Sequence, residues 1–294
     1  MKRIFYALIA LLLPLLLFSS CRNGRLNFFS WEDELALKDE VHEQIVADSL
    51  THTFLPEEKY AGVYTHLRAI CNKLSYSAKT KKNNMPIQWS IYVLQDDNTV
   101  NAFSIPGGGI YIYTGLLRFV KNEAELAGIM AHEMAHVYCR HATSALSKQL
   151  GVSLFFSLLE GITDTDINVF GDVAANTLLL KFSRDDEREA DKYAVDYLAG
   201  TDYDIGEFIT FFRDLEQLER EEQAIESESL QNVLEFYSTH PNPQHRIENI
   251  KKEWSRRGNP HGKTFANEYK EWLKKLPKPQ TEKQITTIKK GVSK

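Results

Sequence analysis

The 294-residue sequence predicts an α+β fold, mostly helical, with a small antiparallel sheet whose edge strand runs shortly before a central helix. Three observations carry this reading. Short runs rich in β-branched and aromatic residues fall between Ile87 and Thr114. Stretches with three- and four-residue apolar spacing flank them on both sides. Helix-start signals recur at Asn122 with Glu125, at Asp204 with Glu207, and at Asn242-Pro243. With 43% hydrophobic and 26% charged residues, the chain has room for one sizeable core, or one core and a small appendage.

In chain order, Trp31 to Leu50 is helix-like and acidic. Pro56-Glu57 opens a second helix running to about Lys79, with Tyr60, Val63, Tyr64, Leu67, Ile70 and Leu74 on one face. Ile87 to Leu94 alternates as a strand, and Asp96-Asp97-Asn98 is a turn. Ala102 to Ser104 is a second short strand, and Ile110 to Thr114 a third. Pro106-Gly107-Gly108-Gly109 between them is a tight, flexible turn. It is not a phosphate loop, because it lacks a Lys-Ser/Thr ending and leads into a strand. After the helix capped by Asn122, Leu150 to Leu159 and Val173 to Leu180 are buried helical pieces around an Asp164-Thr165-Asp166 turn. Each is too short to span a membrane. Arg184 to Leu198, Asp204 to about Ile225, Ser227 to Tyr237 and Gln244 to about Arg257 complete the helices. No internal repeat is present.

The net charge of −5 is uneven: Lys251 to Lys294 holds 13 basic and 4 acidic residues, so residues 1–250 carry −14. No nucleic-acid-binding signature accompanies the basic tail, and no nucleic-acid partner is expected. Beyond Pro260 the tail reads as partly disordered, with one amphipathic piece around Trp272. At the other end, Lys2-Arg3 precedes fifteen apolar residues, Ile4 to Phe18, a length that suits a secretory signal. The following Phe18-Ser19-Ser20-Cys21 resembles a bacterial lipoprotein signal, although Phe18 stands where an aliphatic residue is usual. The resemblance implies cleavage before Cys21, lipidation of Cys21, and a periplasm-facing place on the outer membrane. Cys71 and Cys139 are left as either a disulfide or two buried thiols.

The chemistry centres on His132-Glu133-Met134-Ala135-His136, inside a stretch that reads as helix. Residues four apart lie about 40° apart and one turn above each other, so His132 and His136 can share one metal ion. Glu133 points about 100° away, where a general base belongs. A catalytic metal needs a third protein ligand. Ser183 to Asp191 is a dense acidic patch opening a helix, and Glu187 and Asp191 share a face there. From the residues alone, that patch reads first as a solvated, dipole-favoured first turn. His141, five residues past His136, should face elsewhere by helical arithmetic. His42, His52, His66, His245 and His261 read as surface.

Four stretches in order give a resemblance. These are Asn101 to Gly108 with Tyr111 to Leu117; Glu123, Leu126-Ala127 and His132 to His136; Glu187-Arg188-Glu189-Ala190-Asp191; and Thr239-His240-Pro241 with Arg246-Ile247. Over roughly residues 85–255 the chain resembles the HtpX-like and type-I CAAX prenyl protease family of zinc metallopeptidases, in its periplasmic lipoprotein branch. That resemblance implies a zincin-like domain over residues 56–258, after a signal at 1–20 and a lipid-attached segment at 21–55, with the basic tail at 259–294. It implies one Zn²⁺ per chain held by His132, His136 and Glu187, with Asp191 supporting them and Glu133 as base. His240 is either a loop or cap residue, a displaceable fourth ligand, or an aid to the tetrahedral intermediate. Arg246 either meets substrate and oxyanion or pairs with a carboxylate. A polypeptide substrate is expected to add as a strand beside Gly108, Gly109, Ile110, Tyr111 and Ile112. The implied function is hydrolysis of unfolded or misassembled envelope proteins. The rival is a latent or chaperone-like assembly factor with a capped zinc site, working with outer-membrane assembly machinery.

Overall fold

The computed structural model describes residues 21–22, 25–48, 53–76, 87–160, 181–223, 240 and 243–279. The expected signal segment, the Asp164-Thr165-Asp166 turn, the Val173 to Leu180 piece, the Ser227 to Tyr237 helix and His52 lie outside these residues.

Helix α1 (Trp31–Ala47) begins at a reciprocal cap: Ser30 Oγ accepts from Asp33 N at 3.1 Å, and Asp33 Oδ2 accepts from Ser30 N at 2.6 Å. Helix α2 (Ala61–Ser75) buries Val63, Tyr64, Leu67, Ile70, Cys71 and Leu74, the face its spacing predicts. It starts later than Pro56 because Pro56 to Lys59 form a turn, closed by Tyr60 N donating to Pro56 O at 3.1 Å.

The sheet contains β1 (Ser90–Leu94), β2 (Ala102–Ile105) and β3 (Gly109–Tyr113) in the order β1-β3-β2. It is mixed, which corrects the antiparallel expectation: β1 runs parallel to β3, from Ser90↔Gly109 to Leu94↔Tyr113, while β2 pairs antiparallel, Ala102↔Ile112 to Ile105↔Gly109. The strand expected at the edge, Ile110 to Thr114, is the central one. Every residue of β3 is buried, as befits a run of Gly, Ile and Tyr with no charged side chain on either face. The turn before it is a buried single 3₁₀ turn, Pro106–Gly108. Gly107 (φ +77°) and Gly108 (φ +108°) take left-handed backbone, and a Cβ on Gly108 would meet Gln88 O at 2.8 Å. Gly108 to Ile112 therefore offer no free edge to a substrate. The outer side of β1 is met by Thr53 to Leu55, through Leu55 N to Val93 O at 2.8 Å and Gln95 N to Thr53 O at 2.7 Å. Among the described residues, β2 is paired on one side only.

After α3 (Thr114–Phe119), helix α4 (Glu123–Tyr138) runs through the middle of the protein, buried from Glu123 to Val137. Its cap is Asn122, whose Oδ1 accepts from Glu125 N at 2.9 Å. Around it pack α2, β2, α6 (Arg184–Ala199) and α7 (Gly206–Gln223). Gly128 is where α7 comes closest: a Cβ there would lie 2.7 Å from Phe208 Cβ and ring carbons. Helix α5 (His141–Glu160) follows a sharp corner at Arg140, which has φ +58°. Buried Glu34 pins that corner to α1, its Oε1 accepting from Arg140 Nε and Thr143 Oγ1, both at 2.6 Å. Helix α8 (Pro243–Ser255) crosses α6 and α7. The amphipathic piece around Trp272 is helix α9 (Ala266–Leu273), with Tyr269 and Trp272 buried and Tyr269 Oη donating to Leu117 O at 2.7 Å. That part of the basic tail is docked on the core, where Tyr269, Trp272 and Leu276 are buried and Phe265 and Leu273 pack against them.

No described helix is long and apolar enough to cross a membrane. Cys71 and Cys139 are free thiols, and burial pushes the Cys71 pKa up to about 12. Two histidines read as surface are half-buried against partners from distant elements. His42 stacks on Tyr92 with Nδ1 2.8 Å from Tyr111 Oη, and His66 stacks on Trp272 with Nε2 3.0 Å from Glu123. Both partnerships join distant parts of the chain, which local spacing does not reveal.

The α4–α7 approach sets a test. Gly128→Ala improves helix propensity by up to ~1 kcal/mol, yet overlap with the Phe208 ring costs ~1–3 kcal/mol, so net stability falls. Chemical denaturation checks this; a midpoint unchanged or raised contradicts the packing described.

Candidate metal centre

Helix α4 presents His132, Glu133 and His136 from one buried stretch, each 2% exposed or less. Helix α6 supplies the acids. Its start is set by a reciprocal cap, Ser183 Oγ accepting from Asp186 N at 3.2 Å and Asp186 Oδ2 accepting from Ser183 N at 3.0 Å. This fixes the phase in which Glu187 and Asp191 turn inward, to 2% and 0% exposure. Helix α8 supplies Arg246, and His240 enters from just before α8. The structure thus brings together seven sequence-predicted residues, His132, Glu133, His136, Glu187, Asp191, His240 and Arg246.

Ligand atoms of His132, His136, Glu187 and His240 all lie within 4.8 Å of one another. His132 Nε2 and His136 Nε2 are 2.9 Å apart, and Glu187 oxygens lie 3.5 Å and 3.4 Å from them. His240 Nδ1 is 3.3 Å from Glu187 Oε1. Tetrahedral zinc with bonds of about 2.0–2.1 Å puts its ligand atoms about 3.3 Å apart. Two imidazoles and a carboxylate at these separations form a zinc-type donor set, so the residues present fit the metal. Neutral imidazole is the ligating form. His136 is driven toward it, its pKa drawn down to about 3 by burial and by the neighbouring His132, against the pull of Glu187.

Glu133 stands outside this set. Its Oε2 lies 2.9 Å from Ser104 Oγ on β2, and its Oε1 lies 3.3 Å from His240 Nε2. Burial works against its ionisation, but His240, His136 and His132 outweigh that and bring its pKa to about 2. His240 therefore faces two carboxylates. Burial opposes a charge on it, yet Glu187 and Glu133 draw its pKa up to about 10. Its place in the ligand cluster favours a role at the metal over a plain loop residue.

Arg246 lies behind the ligands. Its Nε is 2.7 Å from Asp191 Oδ1 and its Nη1 is 2.5 Å from Glu187 Oε2. Carboxylate pairing, one of its two open readings, is what the geometry displays. Asp191 Oδ1 lies 3.4 Å from His132 Nδ1, and Arg246 Nη2 lies 3.0 Å from the same nitrogen and 3.2 Å from Nε2, so the acid and the guanidinium together flank the His132 ring.

Two contributors carry no sequence assignment, and a third departs from the one it had. Ser104 sits beside Glu133, within the motif stretch but without a role assigned. Phe182 lies against His136, ring centroids 4.0 Å apart. His141 corrects the expectation that it faces elsewhere: its Nδ1 is 3.0 Å from His136 Nδ1, and it is buried. Helical arithmetic fails there because α4 ends at Tyr138 and the left-handed Arg140 swings the chain back. His245 and His261 are exposed, as expected.

The trio of Arg246, Asp191 and Glu187 yields a test. Removing the guanidinium leaves two buried carboxylates without it, a loss worth ~3–5 kcal/mol. Arg246→Met is therefore expected to be destabilised by that order in chelator, and to regain stability with zinc. Urea titrations in both conditions check this; equal midpoints for variant and wild type in chelator contradict it.

Comparison with known proteins agrees with this geometry. The profile of peptidase family M48 matches residues 64–254, a span holding every ligand candidate. The chain is 30% identical over 168 residues to the mitochondrial metalloendopeptidase OMA1 of Schizosaccharomyces pombe, covering 57% of this chain and 47% of that protein. It is 27% identical over 194 residues to a putative beta-barrel assembly-enhancing protease of Vibrio cholerae, covering 62% and 38%. It is 29% identical over 133 residues to the metalloprotease YcaL of Escherichia coli, covering 43% and 51%. The chain spans about half the length, or less, of these curated relatives. The match over most of the chain, with its buried two-histidine, one-glutamate cluster, places this chain in peptidase family M48.

Proposed function

We propose that this chain is a zinc-dependent metalloendopeptidase that hydrolyses unfolded or misassembled proteins of the bacterial envelope, holding one zinc through His132, His136 and Glu187. The observation that carries this reading is the buried donor set, with a carboxylate, Glu133, beside it and outside it. When bound, zinc supplies Lewis acidity toward the scissile carbonyl and acidifies water. Glu133 takes a proton from water as its oxygen adds to the scissile carbonyl carbon, giving a tetrahedral oxyanion, and then passes that proton to the amide nitrogen as the carbonyl re-forms and the C–N bond breaks. Ser104 steadies Glu133 through its 2.9 Å contact. Asp191 orients His132, and Arg246 offsets the charge of Asp191 and Glu187. Of the two candidates for sharing the oxyanion charge, His240, 3.3 Å from Glu133 Oε1, is the better one, because Arg246 is engaged by Asp191 and Glu187.

The substrate strand is assigned to the open side of β2, residues 102–105, which leads to Ser104 and Glu133, instead of to β3. Main-chain pairing of that kind selects extended, loosely folded segments. The N-terminal sequence supports lipidation of Cys21 and attachment to the outer membrane facing the periplasm. Relatives named as beta-barrel assembly-enhancing proteases support a link to outer-membrane assembly machinery.

A second reading has an observation of its own. His240 is 1% exposed and sits among the ligand atoms, as a capping fourth ligand would. In that reading the chain is a latent or chaperone-like assembly factor.

One assay addresses both. Purified protein is expected to digest an unfolded polypeptide, to stop in chelator, and to recover with zinc. Glu133→Gln keeps zinc and fold and loses ~10²–10⁴-fold in rate. Glu133→Gln at the wild-type rate contradicts the mechanism. Zinc-loaded wild type with no cleavage favours the capped form.

A further inference from the structure

Beyond the metal set, the structure assigns His141 as a positioning residue that fixes the proton and ring orientation of His136. This rests on the zinc reading above. His136 Nε2 faces His132 Nε2 at 2.9 Å and Glu187 Oε1 at 3.4 Å, so Nε2 is the atom turned to the metal position. A neutral imidazole carries one proton, and that of His136 must then sit on Nδ1. His136 Nδ1 lies 3.0 Å from His141 Nδ1. Two nitrogens share one proton across such a contact, so His136 donates and His141 accepts. The proton of His141 is left on Nε2, which lies 3.4 Å from Glu189 Oε2. Glu189 is in turn held by Arg25 Nη2 at 2.6 Å. Every proton in the series Arg25, Glu189, His141, His136 has one place.

The same placement of protons disposes of the obvious alternative. Cys139, His141 and Glu189 also bring ligand atoms within 4.8 Å of one another, the geometry of a second metal site. A metal on His141 Nε2 would force its proton onto Nδ1, against the Nδ1 proton of His136. One of the two rings would have to give up its metal. Arg25 also pairs with Asp186 as well as Glu189, so these acids already face a cation. His141 is 1% exposed, which leaves no solvent to replace it as the acceptor. A carboxylate-backed acceptor on the far nitrogen raises the basicity of the ligating one and narrows its orientation, typically by 10–100-fold in metal affinity.

The test uses the full chain and zinc alone. Chelator competition gives the zinc affinity of wild type, His141→Leu and His141→Asn. Leu removes the acceptor; the Asn carbonyl oxygen can stand in for Nδ1. His141→Leu is expected to bind zinc 10–100-fold more weakly, and His141→Asn within about threefold of wild type. Histidine tautomers in zinc-loaded wild type, read from long-range ¹⁵N–¹H spectra, need no variant: His141 is expected protonated at Nε2 and bare at Nδ1. Wild type that binds zinc but shows His141 protonated at Nδ1, or His141→Leu with wild-type affinity, overturns this inference alone. Wild type that binds no zinc overturns it together with the zinc reading.

Discussion

Two carboxylates, Glu187 and Asp191, sit at the centre of this protein almost wholly removed from water, and the site is built around making that tolerable. A buried carboxylate costs several kcal/mol unless it is paired and hydrogen-bonded. Arg246 meets both, His132 meets Asp191, and His132, His136 and His240 surround Glu187. Three elements must therefore converge: α4 with the imidazoles, α6 with the acids, α8 with the guanidinium. The close α4–α7 approach at Gly128 and the pinned corner at Arg140 bring helices near enough for this. The donor set is pre-formed in consequence, its atoms near the separations a tetrahedral ion requires.

How much of this was legible in the sequence depends on how local the signal is. The imidazole pair and Glu133 follow from i, i+4 geometry within one helix, and the structure places them so. Glu187 does not follow from its own neighbourhood. An acidic first turn suits any helix N-terminus, and only the resemblance to a metallopeptidase family separates Glu187 from Asp185 or Glu189. The three strands were readable as strands, but not their order, because pairing between β1 and β3 joins segments on either side of β2. The run Ile110 to Tyr113 did contain the clue to a central strand, since it has no charged side chain on either face.

His141 shows a different limit. Helical spacing from His136 does not carry to residue 141, because α4 ends at Tyr138 and His141 opens the next helix. A single left-handed residue, Arg140, turns the chain and returns His141 to His136. The terminal segments behave likewise. Arg25 near the start reaches Glu189, and Tyr269 near the end reaches Leu117, so both flanks of the peptidase region are tied to the helices that carry the site. Their partners are more than a hundred residues away, beyond any local pattern.

The account stands or falls on Glu187 as the third metal ligand, since it is the residue that links the acidic helix to the imidazole pair. Zinc content per chain, measured by mass spectrometry on purified wild type and Glu187→Ala, tests this most directly. The account predicts one zinc per wild-type chain and far less than one in the variant with its helices intact. A Glu187→Ala protein that still holds one zinc per chain would contradict it.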